Sequence, residues 1–345
     1  ELDNLERFDV FVLVTADEVP ANEDIFDSML LCKKKRGQDN VCIKRKVRCV
    51  LCGNQMVQSA KRGVSKTTVD MRTHSPAIRA ASLKTNFAVG VLDDLRMLDF
   101  DVDAAYLQGR YVDRRVFVRA PKYYRKYDER GVELVWHLQR ALYGGPDSGR
   151  VWYNTFAHYV MVEEQVTPFK RCHFEPCTFT HFRDGLVDSN GRDQRIVLSV
   201  YVDDGRTWDN CPDVCDGFYS RLKSRFSITM DGASKFMIGM DISLGEGWLK
   251  ICSSTYIRNM CERWLDYPIG EYDYVGTPAY PKLFDLYEAA ALIRGNTPPE
   301  LGTRYRSLVG ALIFPAPTTR PDCLYTVGLL ARAMDCATED LFNAA

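Results

Sequence analysis

Three aspartates stand out by their type and position. Asp101 lies in a segment of alternating apolar and acidic residues, and Asp203 and Asp204 follow an apolar run. Carboxylates are the hard oxygen ligands that Mg²⁺ prefers. Two such ions held ~3.5–4 Å apart lower the pKa of an attacking hydroxyl and stabilise a leaving pyrophosphate. If the two segments converge, these residues predict nucleotidyl transfer.

Period-two alternation over residues 98–103 (LDFDVD) predicts the strand that carries Asp101. The apolar residues would face a core, and Asp99, Asp101 and Asp103 would line the opposite face. Each like-charged pair at ~4 Å costs about 4 kcal/mol at an effective dielectric constant near 20. We therefore expect that solvent separates these carboxylates or that a cation binds some of them.

Residues 196–205 (IVLSVYVDDG) predict a second strand that ends in a hairpin turn, with the two acids at its tip. An ordinary Asp-Gly turn is the alternative interpretation. Two adjacent acids after an unusually apolar strand favour a chemical role for these residues over an ordinary turn.

Residues 31–66 hold eleven Lys or Arg against a single acid, Asp39, although the whole chain has a net charge of −1. Residues 33–36 and 41–51, separated by a turn at 37–40, predict a basic hairpin, which we call the basic ribbon. A solvated basic face is one interpretation, and a surface that binds phosphates is the other. The second predicts nucleic-acid contacts by Lys33, Lys34, Lys35, Arg36, Lys44 and Arg45.

Composition narrows the class of protein. A chain of 345 residues with 46% apolar and 26% charged residues predicts two or three globular units. No apolar run reaches the ~20 residues that span a bilayer, and residues 1–7 do not resemble a signal peptide. We therefore expect an intracellular, cytoplasmic protein that has no membrane partner. The twelve cysteines are irregularly spaced, which favours reduced thiols over disulfides or a zinc site. Phosphate-loop, dinucleotide-binding and serine-hydrolase motifs are absent from the sequence.

Helical patterns complete the predicted elements. Ser75 and Pro76 predict an N-cap and first helical residue for a helix over 76–95. Apolar residues recur at helical spacing from Tyr256 to Leu265 and from Tyr305 to Ile313, and both stripes predict core.

Short motifs of one known family follow in order along most of the chain. The matching segments are 46–50 (KVRCV, for K-A-R-L-V), 75–79 (SPAIR, for A-P-V-x-R), 101–109 (DVDAAYLQG, for D-V-K-T-A-F-L-N-G), 140–144 (RALYG, for K-A-L-Y-G), 150–153 (RVWY, for R-x-W-Y), 201–204 (YVDD, for Y-V-D-D), 305–310 (YRSLVG, for Y-R-x-L-I/V-G) and 319–322 (TRPD, for T-R-P-D). On these segments the chain resembles the reverse transcriptases of copia-type (Pseudoviridae) long-terminal-repeat retrotransposons.

The resemblance implies an α+β right-hand polymerase fold with fingers, a ferredoxin-like palm and a helical thumb. It assigns 1–95 to the fingers, 96–120 to the first part of the palm, 121–165 to an insertion between fingers and palm, 166–250 to the palm with the Y-V-D-D hairpin, and 251–345 to the thumb or connection.

The resemblance also implies an RNA-directed DNA polymerase that adds dNTPs to a primer 3′-hydroxyl on an RNA or DNA template. Asp101, Asp203 and Asp204 would be catalytic and, with Val102, would bind two Mg²⁺ ions, for which Mn²⁺ could substitute. Lys46, Arg48, Val102 and Tyr106 would bind the dNTP, with Tyr106 under the deoxyribose. Ribonuclease H and integrase regions of the same polyprotein, and a virus-like particle, are further implied partners.

Two departures from the family keep an alternative open. Asp147 replaces the glutamine of G-L-K-Q-A-P-R, and the segment 205–209 (GRTWD) is polar where the family is apolar. Both are compatible with a degenerate or domesticated copy that binds nucleic acid without polymerising. A third hypothesis is another palm-fold nucleotidyltransferase, such as a cyclic-nucleotide synthase, although that class does not explain the basic ribbon or the C-terminal helices.

Overall fold

The computed structural model divides the chain into two compact units, Glu1–Ala233 and Ser234–Ala345. It describes residues 1–36, 42–62, 72–111, 114–232, 236–245, 247–265 and 276–345. Both units mix helices and strands, so the chain is a mixed α/β protein. The predicted turn of the basic ribbon at 37–40 lies outside the described residues.

Within the described ranges, the first unit has thirteen strands in three sheets. The strands are β1 (Phe11–Thr15), β2 (Ile25–Phe26), β3 (Ser28–Arg36), β4 (Cys42–Leu51), β5 (Arg96–Val102), β6 (Val116–Val118), β7 (Lys126–Tyr127), β8 (Glu133–Leu138), β9 (Lys170–Arg171), β10 (Thr178–Val187), β11 (Asp193–Tyr201), β12 (Asp204–Asp209) and β13 (Ile228–Gly232). Those sheets have the orders β13-β5-β12-β11-β10-β9, β1-β8-β6-β2 with β7 on β8, and β3-β4.

The described residues of this unit also form the helices α1 (Leu2–Arg7), α2 (Gly53–Arg62), α3 (Ala80–Leu92), α4 (Ala105–Gln108), α5 (Ser148–His158) and α6 (Pro212–Arg225). A π-helical turn, Tyr159–Glu163, extends α5.

The second unit has a small sheet of β14 (Phe236–Met237), β15 (Met240–Gly245) and β16 (Trp248–Cys252). Its helices are α7 (Ser254–Trp264), α8 (Leu283–Ala291), α9 (Pro299–Ile313), α10 (Pro315–Thr318), α11 (Leu324–Arg332) and α12 (Glu339–Asn343).

The two predicted helical stripes of this unit differ in burial. Tyr305 and Val309 of α9 are fully buried in a cluster with α8, α11 and α12, as the periodicity predicts. In contrast, α7 has no fully buried residue, although Tyr256 packs on Phe314 and Trp264 on Phe342. The prediction of core for the α7 stripe is therefore wrong in degree, because its apolar side chains are covered only in part.

The predicted helix over 76–95 is shorter in the structure. It begins at Ala80, and the preceding Arg79 is extended, so Pro76 is not its first residue. The helix start is supported from a distant segment, because the backbone N–H and the guanidinium of Arg79 both donate to Glu175 at 3.2 Å. A cap supplied by tertiary structure leaves no local sequence signal.

The polar strand β12 is formed and lies in the middle of the six-stranded sheet. Arg206 and Asp209 on β12 are directly opposite Asp99 and Arg96 on β5. Both guanidinium groups bind the facing carboxylate, Arg206 through two nitrogens and Arg96 at 3.1 Å. Both charged residues of the segment 205–209 therefore have an oppositely charged partner in register.

This pairing corrects the expectation for the three alternating aspartates. Asp99 is buried, and its charge is balanced by Arg206 rather than by solvent or a cation. Asp103 lies beyond the end of β5, and its carboxylate accepts a hydrogen bond from the Ser227 hydroxyl at 2.9 Å. Only Asp101 of the three remains directed at the other sequence-predicted acids.

Helices cover both faces of this sheet. On the side of Arg206 and Trp208, α3 approaches closely through Gly90, where a Cβ would lie 2.3 Å from the Trp208 indole. On the other side, the Phe100 ring packs on the α6 residue Tyr219 at 5.8 Å. Strand β5 is therefore enclosed by structure on both faces.

We expect Arg206→Met to lower the free energy of unfolding by about 3–5 kcal/mol, because it leaves the Asp99 carboxylate buried without this partner. The double variant Asp99→Leu/Arg206→Met removes both charges and should recover most of that loss. Urea denaturation at neutral pH measures both effects, with Lys170→Met on the exposed edge of the same sheet as the control. Unchanged stability of Arg206→Met would contradict this account of β12.

Candidate active site

The hairpin of β11 and β12 has a two-residue turn. Tyr201 is paired with Asp204, so Val202 and Asp203 form the turn, and Val202 has a φ of 57°. A β-branched residue rarely adopts positive φ, and such strain persists only where surrounding contacts enforce it. The contacts here are hydrogen bonds from the Trp152 indole N–H to the Val202 carbonyl (2.5 Å) and from the Val102 N–H to the Asp203 carbonyl (2.9 Å).

The three predicted acids converge at this hairpin. Strand β12 pairs with β5 so that Asp204 lies directly opposite Asp101, and Asp203 precedes Asp204 in the turn. Directly opposite residues of an antiparallel pair project on the same face. The sheet therefore brings together carboxylates that are about a hundred residues apart in sequence.

The acids at this hairpin lie close enough together for their charges to interact. Burial, followed by the charges of Asp203, Asp101 and Asp99, raises the pKa of Asp204 to about 6. The raised pKa means that burial and the neighbouring carboxylates both disfavour a negative charge on Asp204. A bound cation would relieve this penalty.

The carboxylates at this hairpin suit a divalent ion only in an open site, one that substrate and water complete. In the part of the chain that the structure describes, no three His, Cys, Asp or Glu side chains are grouped so that together they could hold a metal ion. Mg²⁺ in phosphoryl-transfer sites uses one or two carboxylates together with substrate phosphates and water. Asp101 and Asp203 or Asp204 suit such an open site, to which Val102 could contribute only backbone atoms.

Tyr106 lies beside these acids on the short helix α4. Its ring is half-buried and packs on Tyr143 with 5.5 Å between ring centroids. Burial and then the charge of Asp203 raise the pKa of Tyr106, while Arg48 acts in the opposite direction. Tyr106 is thus close enough to both the acidic turn and Arg48 for their charges to affect its pKa.

Arg48 reaches this place from strand β4. Its guanidinium lies over the Tyr143 ring at 4.8 Å, and its Nε is buried without a hydrogen-bond partner among the described residues. Lys46, two residues earlier, is exposed. An arginine with an unsatisfied donor next to carboxylates is suited to binding an anionic substrate group.

The basic ribbon is attached to the site by its last residues. The Leu51 N–H donates to the Tyr143 carbonyl at 2.7 Å, and the chain then turns through Gly144 at φ +83°. A Cβ on Gly144 would lie 2.4 Å from the Leu51 carbonyl oxygen, so only glycine permits this approach. Arg48 is thereby held at a defined distance from Tyr143.

Farther along the ribbon, cations face cations. Lys33 is paired with Lys46, Lys34 with Arg45, and Lys35 with Lys44. The side chains of Lys33, Lys34 and Arg45 are exposed, whereas those of Lys35, Arg36 and Lys44 lie outside the described residues. Like charges directly opposite each other destabilise a hairpin, so a bound polyanion would stabilise this one.

Asp147 is held by contacts inside the protein. Its carboxylate is buried, binds Arg114 at 2.5 Å and accepts a hydrogen bond from the Tyr111 hydroxyl at 3.5 Å. Burial raises the pKa of Asp147, while Arg114 acts in the opposite direction. The residue that replaces the family glutamine is therefore packed inside the protein.

Sequence reasoning did not assign roles to Trp152 and Tyr143, although both lie in the matched motifs. Trp152 holds the Val202 carbonyl, and Tyr143 is the surface on which Tyr106 and Arg48 pack. The motif positions were the available signal, but nothing local indicates what each aromatic ring contacts.

Comparison with known proteins identifies the family of this chain. The family described as reverse transcriptase (RNA-dependent DNA polymerase) matches residues 9–266. The chain belongs to this family. Curated relatives include the retrovirus-related Pol polyproteins from transposon RE1 of Arabidopsis thaliana (26% identical over 79% of this chain and 17% of that protein) and from transposon TNT 1-94 of Nicotiana tabacum (23%, over 97% and 23%). The putative transposon Ty5-1 protein of Saccharomyces cerevisiae is 26% identical over 67% of this chain and 68% of that protein.

These relatives place this reverse transcriptase in the copia-type group. The chain spans about a fifth of the length of the two Pol polyproteins it matches. A telomerase structure from Candida albicans covers 96% of the chain and is itself covered over 58% of its length, but at a TM-score of 0.35 and 9% identity the likeness is too weak to define the fold. No helix in the described ranges is long and apolar enough to cross a bilayer.

The raised pKa of Asp204 predicts a pH dependence of stability. Because the folded state binds the Asp204 proton more tightly than the unfolded state, this residue's contribution is full below pH ~4 and is lost as pH rises through about 6. After allowance for partial exposure, we expect Asp204→Asn to remove about 0.5–1 kcal/mol of the stability difference between pH 5 and pH 7.5.

Urea denaturation of the wild type and Asp204→Asn across that range measures this difference. Asp184→Asn, which removes an exposed carboxylate from the same sheet, is the matched control. Equal pH slopes for the wild type and Asp204→Asn would show that the three acids do not interact.

Proposed function

We propose that this reverse transcriptase extends a primer 3′-hydroxyl with dNTPs on an RNA or DNA template, and that its catalytic residues are Asp101, Asp203 and Asp204. The observation that carries this proposal is the register of β5 and β12, which gathers these acids at a turn that also adjoins Tyr106 and Arg48. A dNTP reaction needs groups that bind the metal ions, the sugar and the triphosphate. The acids, the aromatic ring of Tyr106 and the cation of Arg48 would supply these three in turn.

When bound there, Mg²⁺ or Mn²⁺ supplies the positive charge that lowers the pKa of the 3′-hydroxyl and neutralises the leaving pyrophosphate. Asp101 and Asp203 would hold the two ions, with further contributions from Asp204 at the start of β12 and from the backbone of Val102. The narrow turn at Val202 limits movement of Asp203, which favours a fixed reacting geometry.

We assign substrate binding to residues of β4 and α4. Arg48 and, from a more exposed position, Lys46 bind the triphosphate, and Tyr106 packs under the deoxyribose. The basic ribbon binds template–primer phosphates through Lys33, Lys34, Lys35, Arg36, Lys44 and Arg45. The charge pairing along β3 and β4 supports this role, because phosphates would offset it.

At the level of the whole fold, we propose the right-hand arrangement. In it, the six-stranded sheet is the palm, the segment 1–95 forms the fingers, 121–165 is an insertion between fingers and palm, and 251–345 forms the thumb or connection. We also propose ribonuclease H and integrase regions of one polyprotein as partners, because the relatives are named Pol polyproteins. A cytoplasmic location within a virus-like particle is proposed from the family resemblance alone.

Two departures from the family motivate the alternative of a copy that binds nucleic acid without polymerising, and both have structural partners. Asp147 binds Arg114, and Arg206 and Asp209 of β12 are paired with charges on β5. We therefore favour the polymerase over this alternative.

Primer extension on poly(rA)·oligo(dT) tests the proposal. With Mg²⁺ or Mn²⁺ present, we expect Asp203→Asn to lower the extension rate about a thousandfold, since metal-bound charge stabilisation contributes several kcal/mol. The stability of Asp203→Asn should stay equal or rise slightly, because a repulsive charge is removed. Asp184→Asn is the control and should extend normally. Near-normal extension by Asp203→Asn would mean that the site is elsewhere.

Tyr106 provides a separate test through sugar selection. A ring under the deoxyribose excludes a 2′-hydroxyl sterically, so Tyr106→Ala should lower discrimination against ribonucleotides by about 1–3 kcal/mol, and Tyr106→Phe should retain most of it. The measurement is kcat/KM for dCTP and CTP on one primer–template. If Tyr106 is only a packing residue, Tyr106→Ala will be less stable with an unchanged ratio.

A further inference from the structure

A second charged site lies in the first unit, in a cavity of about 650 Å³. It is bordered by the end of α1, the residues after α4 and β8, and the connection from α6 to β13. Its charged lining residues are Arg7, Arg110, Arg140, Glu163, Lys223 and Arg225. None of them belongs to the proposed polymerase site.

The charge of this cavity is largely uncompensated. Its single acidic lining residue, Glu163, is paired with Arg225 at 3.2 Å. Among the described residues, no carboxylate lies within 4.0 Å of a side-chain nitrogen of the other four cations. Neutral neighbours meet part of their hydrogen-bonding capacity: Arg7 donates to the Ser227 hydroxyl at 3.3 Å and Arg140 to the Gln108 carbonyl at 3.4 Å.

Two of the cations are held against each other by the fold. Arg110 and Arg140 are direct partners in an antiparallel bridge, where like charges are destabilising. Burial, and then the charges of Arg110 and Arg225, lower the pKa of Arg140, while Asp9 acts in the opposite direction.

A simpler explanation accounts for only some of these residues. Arg7, Lys223 and Arg225 lie in the last turns of α1 and α6, where a cation is favourable next to the helix carbonyls. That explanation does not extend to Arg140, which follows a strand, or to its pairing with Arg110. The pair indicates a binding role.

We propose that this cavity binds a compact oligophosphate, a ligand with two or three linked phosphate groups. Arginine is the residue best suited to phosphate oxygens, and here arginines from separate segments converge on a volume typical of small-ligand sites. Convergence on a cavity favours a free di- or triphosphate over a long strand, which needs cations spread along a groove. The inference goes beyond the proposed polymerase reaction and does not depend on it.

Isothermal titration of inorganic triphosphate into the full chain, in EDTA and low salt, tests this proposal. All proteins carry Arg48→Gln, so that the proposed dNTP site contributes less to the signal. Arg110→Gln/Lys223→Gln removes two exposed cations of the cavity. The matched control, Lys126→Gln/Lys170→Gln, removes two exposed lysines of the same unit that do not line it.

We expect at least a tenfold loss of triphosphate affinity in the cavity variant, less than twofold in the control, and equal melting temperatures. Equal affinities in the two variants, or no measurable binding to the parent protein, would overturn the proposal. A parallel titration with a twenty-nucleotide oligo(dT) separates the two sources of phosphate. If only oligonucleotide binding falls in the cavity variant, the ligand is a nucleic-acid backbone and the oligophosphate proposal is wrong. Because binding is measured without turnover, an inactive polymerase would not change the result.

Discussion

The pairing of β5 with β12 is the contact on which the candidate active site depends. It places Asp101 opposite Asp204, which is electrostatically unfavourable, as the raised pKa of Asp204 indicates. The same register also places Asp99 opposite Arg206 and Arg96 opposite Asp209. Attraction farther along the two strands therefore opposes repulsion at the end that carries Asp101 and Asp204, and one register sets both.

Close packing leaves little freedom for that register to change. A Cβ on Gly205 would lie 2.0 Å from the Phe100 ring, so a larger residue cannot take its place beside this aromatic side chain. Slipping by one residue would move every side chain of β12 to the other face of the sheet. The strained Val202 turn is fixed in the same way, by Trp152 on one side and the backbone of β5 on the other.

Uncompensated positive charge recurs at two separate places in the first unit. On the basic ribbon, pairs such as Lys34 and Arg45 face each other, and in the cavity Arg110 faces Arg140. The ribbon pairs lie along two strands, as suits a polyanion, whereas the cavity gathers cations around one volume. Anion binding would offset the repulsion in both, but the two geometries suit ligands of different shape.

The sequence by itself determined the family, the strand that carries Asp101, the acidic hairpin and the basic ribbon, because alternation, turn residues and ordered motifs are local signals. It predicted neither the start of α3 at Ala80 nor the fate of Asp99 and Asp147, because their partners Glu175, Arg206 and Arg114 are remote or unmarked in sequence. The polar β12 looked unlike a central strand for the same reason. Only the tertiary structure decided which charges meet, since a charge is stabilised or destabilised by neighbours that folding brings to it.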